Sequence, residues 1–164
     1  MKKIRRRDKR ERQMASRLYI KAFKILQIDP FNREAIALIK KSSNLGHFMA
    51  SHTAAHWHLH QSHYSKAVYY LRRSFPRIHE SARLLGKCYE NGTGVRPNKK
   101  KAFLYYTTGA KKWGDMRSLY QVGRCLNLGI GTRPDRDLAR KIFAITSSFG
   151  INDRTGEPRA SSGS

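Results

Sequence analysis

Acidic residues are scarce in this sequence. Only 11 Asp and Glu stand against 34 Lys and Arg in 164 residues, a formal net charge of +23. Between Glu34 and Glu80 there is no carboxylate at all. A surface of one sign repels itself and costs a compact chain stability. The excess therefore points to a polyanionic partner: nucleic acid, an anionic membrane surface or an acidic protein. Cysteine is nearly absent too, with Cys88 and Cys125 alone. Two thiols build no disulfide framework, and a reducing compartment is the expectation. That makes the location intracellular, first of all cytoplasmic, with an organelle left open. The Arg-rich start suits a transit peptide, but Asp8 and Glu11 argue against one. No apolar run reaches the roughly 18 residues of a transmembrane helix. The basic start is not followed by the apolar core of a secretory signal. Alternating strand patterns of useful length are missing as well.

What is present is helical periodicity and punctuation. Residues 1–12 hold Lys2, Lys3, Arg5, Arg6, Arg7, Lys9, Arg10 and Arg12 with no apolar face beyond Ile4, and read as a solvated basic arm. Residues 13–150 read as a helical domain. Leu18, Ala22, Ile25 and Leu26 share one helical face. Asp29-Pro30 ends that helix, because the residue before proline avoids the helical region. Asn32 is placed to cap the next helix, and Asn44-Leu45-Gly46 breaks it. Two more helices follow, about 48–61 and 65–75. Residues 151–164 are Gly, Ser, Pro and charge without periodicity, and are expected to be a disordered tail.

The second half repeats itself. Gly86, Cys88, Gly92 and Gly94 recur as Gly123, Cys125, Gly129 and Gly131 at a constant offset of 37 residues, and Arg96-Pro97-Asn98 recurs as Arg133-Pro134-Asp135. Lys101-Ala102 falls on Leu138-Ala139 at the same offset. The spacing predicts a first helix from about His79 to Glu90, packing through Leu84, Leu85 and Tyr89. Gly86 admits a close neighbour, and Asn91-Gly92-Thr93-Gly94 stops the helix where glycine takes the left-handed cap conformation. Asn98 and Asp135 are placed as N-caps of the second helices, with Ala102 and Ala139 at the helix crossing. Tyr69, Tyr70, Tyr105 and Tyr106 are expected in the core.

These residues resemble the Sel1-like repeat family, a relative of the tetratricopeptide repeats. The match runs through Leu85-Gly86, Tyr89, Gly92, Gly94-Val95, Asn98, Lys101-Ala102, Tyr105-Tyr106 and Gly109-Ala110. A second, more degenerate unit matches at Gly123, Gly129, Gly131, Asp135, Ala139 and Gly150, and departs at Leu126, Thr132, Leu138 and Ile142. The clear units span 79–114 and 115–150. Lys66-Ala67 with Tyr69-Tyr70, and Ile28 to Asn32 with Glu34-Ala35, look like earlier tetratricopeptide-like units. The resemblance implies an all-α fold, an α-solenoid of about eight antiparallel helices, with a concave surface for protein–protein interaction.

Little else carries chemistry. The Gly-x-Gly elements are followed by no Gly-Lys-Ser/Thr and flanked by no strands, so the repeat explains them better than a phosphate loop does. Six of the seven histidines crowd into His47, His52, His56, His58, His60 and His63, and 52, 56, 60 and 63 share a helical face at metal-ligand spacing. No carboxylate or cysteine lies near to complete a site, which favours a surface stripe or a stacking contact to RNA. Cys88 and Cys125 read as small buried residues too far apart to pair. No general acid–base pair, cofactor or small-molecule substrate is expected, and enzyme activity has no motif behind it. The candidate polyanion contacts are the arm residues together with Lys40, Lys41, Arg72, Arg73, Arg77, Lys99, Lys100, Lys111 and Lys112. Tyr64, Tyr69, Tyr70 and Trp57 interleave with Lys40, Lys41, Lys66, Arg72, Arg73 and Arg77, and basic-plus-aromatic is a nucleic-acid pattern. The leading expectation is a non-catalytic scaffold whose basic surface meets an acidic protein or a ribonucleoprotein. The runner-up is a structural RNA-binding protein of a ribosome or another ribonucleoprotein.

Overall fold

The structure is a computed structural model that describes residues 9–151. Lys2, Lys3, Arg5, Arg6 and Arg7 of the arm, and residues 152–164 of the tail, lie outside the described residues. Among the described residues there are eight helices: α1 (Lys9–Ile28), α2 (Arg33–Asn44), α3 (Phe48–His60), α4 (Tyr64–Ser74), α5 (His79–Asn91), α6 (Lys99–Trp113), α7 (Met116–Leu128) and α8 (Arg136–Ser148). They fall into two compact units, Met1–Ile78 and His79–Ser164.

In the first unit each helix packs on the next, α1 on α2, α2 on α3 and α3 on α4. Helix α1 begins at Lys9, so Lys9, Arg10 and Arg12 of the expected arm stand on its first turn. Asp29 stops it by accepting from the Phe31 amide at 3.0 Å and from Asn32 Nδ2 at 3.3 Å. Asn32 then caps α2 by accepting from the Ala35 amide at 3.0 Å. The core is built from small residues, Ala22, Ala35, Ala50 and Ala54 around Ile39. Small side chains bring backbones close enough for serines to bridge them. Ser42 Oγ donates to the Ala15 carbonyl of α1 at 2.7 Å, and the Ser43 and Ser51 hydroxyls meet at 2.7 Å. Each such buried bond contributes about 1 kcal/mol. Tyr70 flanks this core, but Tyr69 is 51% exposed and is not part of it, contrary to expectation. The helix-period count places 69 and 70 on different sides of α4, and only one can face α3.

In the second unit α5 packs on α6, α6 on α7 and α7 on α8, and α5 also reaches α7. The repeat holds bond for bond. After α5 the Thr93 amide donates to the Cys88 carbonyl at 2.9 Å and the Asn98 amide to the Tyr89 carbonyl at 2.7 Å. After α7 the same roles fall to Ile130 with Cys125, and Asp135 with Leu126, both at 2.9 Å. The six-to-one bond of Thr93 and Ile130 is the helix-ending pattern that needs left-handed backbone, and Gly129 supplies it at φ 68°. Asn98, Asp115 and Asp135 accept from the amides of Lys101, Ser118 and Leu138 at 2.9–3.0 Å. Gly86 leaves room for the ring of Tyr106, which a side chain there would overlap. Gly92 and Gly94 lie in the left-handed loop after α5, Gly123 faces Ile142 and Phe143, and Gly131 lies against the Lys99 backbone. Ala102 and Ala139 are fully buried beside Tyr89, Tyr106, Cys125 and Ile142. Ile151 is the last described residue. Its side chain is buried, and its amide donates to the Thr146 carbonyl at 3.2 Å.

Candidate polyanion-binding surface

The described acids from Asp29 onward are occupied by the fold. Asp29, Asp115 and Asp135 hold helix ends, as above. Glu34 pairs with Lys21 at 3.5 Å, Glu80 with Arg83 at 3.3 Å, and Asp137 with Arg140. Glu90 does most. It accepts from Arg124 Nη2 at 2.6 and 2.5 Å and from the Tyr106 hydroxyl at 2.9 Å, so one carboxylate ties α5, α6 and α7. Burial and the neighbouring Glu90 push the Tyr106 phenol far above its ordinary value. Arg83 is itself buried and Arg124 half-buried.

Most predicted basic contacts are exposed. Lys9, Arg10, Arg12, Lys41, Arg72, Arg77, Lys99, Lys100, Lys111 and Lys112 all project from the described surface. Lys111 and Lys112 occupy the last turn of α6, where the helix dipole favours cations, whereas Lys99 and Lys100 open the same helix, where it disfavours them. Arg73 and Arg77 are among the predicted contacts that have internal partners. Arg73 donates from Nη2 to the Ser43 carbonyl at 2.7 Å, and its guanidinium lies 5.5 Å from the Tyr69 ring centre. Arg77 covers the Phe48 ring at 5.2 Å.

The first unit concentrates the aromatic and basic groups. Lys40 Nζ sits 4.9 Å above the Trp57 ring. Lys40, His58, Ser65, Lys66, Tyr69 and Tyr70 line a groove of about 440 Å³ formed by α2, α3 and the start of α4. His58 stacks on Tyr70 at 5.4 Å and 11°. Its side chain is 2% exposed, and its Nδ1 has no hydrogen-bond partner. Burial, with Lys40, His63 and Lys66 nearby, holds its imidazole down at about 4. A second groove of about 340 Å³, lined by Phe23, Leu26, Phe31, Ile36 and Trp57 among others, is mostly apolar. The histidines do not form one stripe. His47 caps α3, accepting at Nδ1 from the Ala50 amide at 3.2 Å, and His63 stands at the N-cap of α4, beyond the end of α3. His52 and His56 do share a face, their rings 4.6 Å apart. Cys88 and Cys125 are both buried and unpaired, and burial raises both thiols, Cys125 to about 11.

The groove at α4 and the Glu90 node escaped sequence reasoning. The first had a signal, an acid-free stretch with alternating Tyr and Lys, but its cavity depends on how three helices meet. The second had none, since Glu90 and Arg124 are 34 residues apart.

Residues 79–112 and 117–145 match the Sel1 repeat. Both matched stretches fall at the positions of the internal duplication. No curated protein matches the sequence significantly. Among solved structures it is similar to a Sel1 repeat protein from Oxalobacter formigenes, at a TM-score of 0.74 and 20% identity over 84% of this chain and 60% of that one. It is also similar to a protective antigen present in uropathogenic Escherichia coli strains displaying an SLR fold, at a TM-score of 0.71 and 20% identity over 85% of this chain and 31% of that one. The chain thus spans less than two thirds of either relative. The likeness shows the fold, the all-α, α-solenoid class expected from the sequence. No described helix is long and apolar enough to cross a membrane.

Proposed function

With the two Sel1-matched stretches as the premise, we propose that this chain is a non-catalytic scaffold that engages an acidic protein or a ribonucleoprotein through a strongly basic surface. The observation that carries this reading is the division of labour among charges. The described acids from Asp29 onward cap helices, brace a turn or pair with neighbouring cations, while Lys41, Lys99, Lys100 and Lys111 project outward. A protein that leaves its own cations unneutralised in this way has electrostatic complementarity to offer a polyanion. Two buried, unpaired thiols suit a reducing compartment, the cytoplasm first of all.

The second reading is a structural RNA-binding protein of a ribosome or another ribonucleoprotein. Its specific support is the Lys40–Trp57 contact and the tyrosine-lined groove, because aromatic faces set among cations stack bases. Titrating RNA into the purified chain at several salt concentrations separates the two. Tight binding with a steep salt dependence, weakened when residues 1–12 are deleted, supports RNA. No RNA binding at physiological salt removes that reading and leaves an acidic protein as the partner.

A further inference from the structure

Five helices close their first turns with a side chain: Asn32, His47, Asn98, Asp115 and Asp135 each accept an amide hydrogen three residues on. Helix α4 does not. His63 occupies its N-cap and makes no side-chain capping bond. The first-turn amides of Tyr64, Ser65 and Lys66 are donors that an intact helix leaves unpaired. No acid stands in that turn to offset its positive end. The groove described above opens beside this turn, with Ser65 and Lys66 on one wall and Lys40 of α2 on another. A second, independent observation marks the same place. His58, nine-tenths buried and more, lines this groove with an imidazole nitrogen that has no partner. Buried polar atoms are normally satisfied, so an orphan at a groove wall asks for an outside group.

We infer that the groove at the start of α4 holds one phosphate of a single-stranded nucleic acid, received by the α4 amides and Lys66 with Lys40 across from it. Backbone amides at a helix N-terminus together with a lysine are a general phosphate receptor. The tyrosines decide the source of the phosphate. Tyr69 is half exposed, and Tyr70 meets it edge-on at 5.1 Å, so the wall beside the phosphate is aromatic and fit to take the attached base. A carboxylate of an acidic peptide would use the cations and leave the rings idle. The volume of about 440 Å³ lies in the range of sites that take a ligand larger than a lone anion. The inference rests on the basic-surface reading above and assigns it one contact.

The test is amide NMR of the full chain titrated with a decauridylate RNA, with inorganic phosphate and with a decaglutamate peptide. The expected result is saturable shifting of the Tyr64, Ser65 and Lys66 amides by the RNA at concentrations where phosphate moves nothing. In parallel, Lys66→Gln lowers RNA affinity about tenfold and reduces the salt slope by about 1, whereas Lys141→Gln, an equal loss of charge on α8, changes affinity less than twofold. A third variant, His63→Asp, supplies the missing cap. It raises the melting temperature and weakens RNA binding, so the loss cannot come from unfolding. RNA binding that leaves those three amides unmoved overturns this site while the basic-surface reading stands. Equal or tighter occupation by decaglutamate overturns it in favour of a protein partner, and equal occupation by inorganic phosphate reduces it to a free-anion site. Failure of the RNA to bind anywhere overturns the site, and equal failure of the peptide removes the basic-surface reading as well.

Discussion

His58 is a charge the fold suppresses. Its imidazole titrates near 4 in the folded chain against about 6.5 when unfolded, because burial and the nearby Lys40, His63 and Lys66 penalise protonation. The unfolded chain therefore takes up the proton first as pH falls. The stabilisation from a neutral His58 is complete above about pH 6.5 and is lost as pH drops through 4. The loss is on the order of 2 kcal/mol, and His47, also depressed by burial, adds to it in the same direction. Urea unfolding at pH 7 and pH 4.5 measures it. His58→Phe keeps a ring against Tyr70 and removes the proton site, so its stability should fall less between the two pH values. An unchanged slope would remove His58 as the cause. The same scale shows what residue reasoning could reach. Burial of Cys88 and Cys125 was readable because each sits one turn before a helix-ending glycine, on the core side. The burial of His58 was not, because His52, His56 and His60 make the whole segment look like one exposed stripe.

Helix ends carry the next lesson. Asn32, Asn98 and Asp135 were legible as caps, since a short acceptor before an apolar periodic run has few other uses. His47 as a cap was not, because an imidazole nitrogen does that work only when backbone geometry brings it round. Helix α6 is the clearest case of an element built against its own interest. Three lysines, Lys99 to Lys101, crowd its positive end, with no acid in the first turn. Each exposed cation there costs about 0.3–1 kcal/mol at low ionic strength. Replacing Lys99 and Lys100 together by Glu should therefore raise the melting temperature by a few degrees. The same double variant should weaken binding of the polyanionic partner. A calorimetric scan and a binding titration on one sample check both signs. A variant that loses stability as well as binding would mean that these lysines serve the fold and not a partner.

At the scale of the molecule, the repeat was legible where glycine spacing recorded it and silent elsewhere. The second unit announces itself through Gly86, Gly92 and Gly94 recurring at Gly123, Gly129 and Gly131, and the Sel1 match begins at residue 79. The first unit joins its helices with short turns and packs them on alanine and serine, residues that carry no spacing signature. Its four helices could be counted from periodicity, but its groove and its serine bridges could not, because they arise only when backbones approach closely. Charge acts across the whole chain as well. Self-repulsion at +23 should make stability rise with added anions, and multivalent sulfate should raise the melting temperature more than chloride at equal ionic strength. Thermal scans in the two salts test this, and identical curves would show that the charge is not a stability burden.

The commitment of each described acid from Asp29 onward to a helix end, a turn or an ion pair has a consequence for how the sequence can vary. An exposed lysine can drift to glutamine at little structural cost, but Glu90, Asp115 or Asp135 cannot drift to anything without loosening a helix. Among the described residues from Asp29 onward there are therefore no spare negative groups with which to tune the chain toward electroneutrality. Wherever it resides, it must recruit its counterions from its surroundings, and the release of those ions when a larger anion arrives supplies an entropic drive that no single contact accounts for.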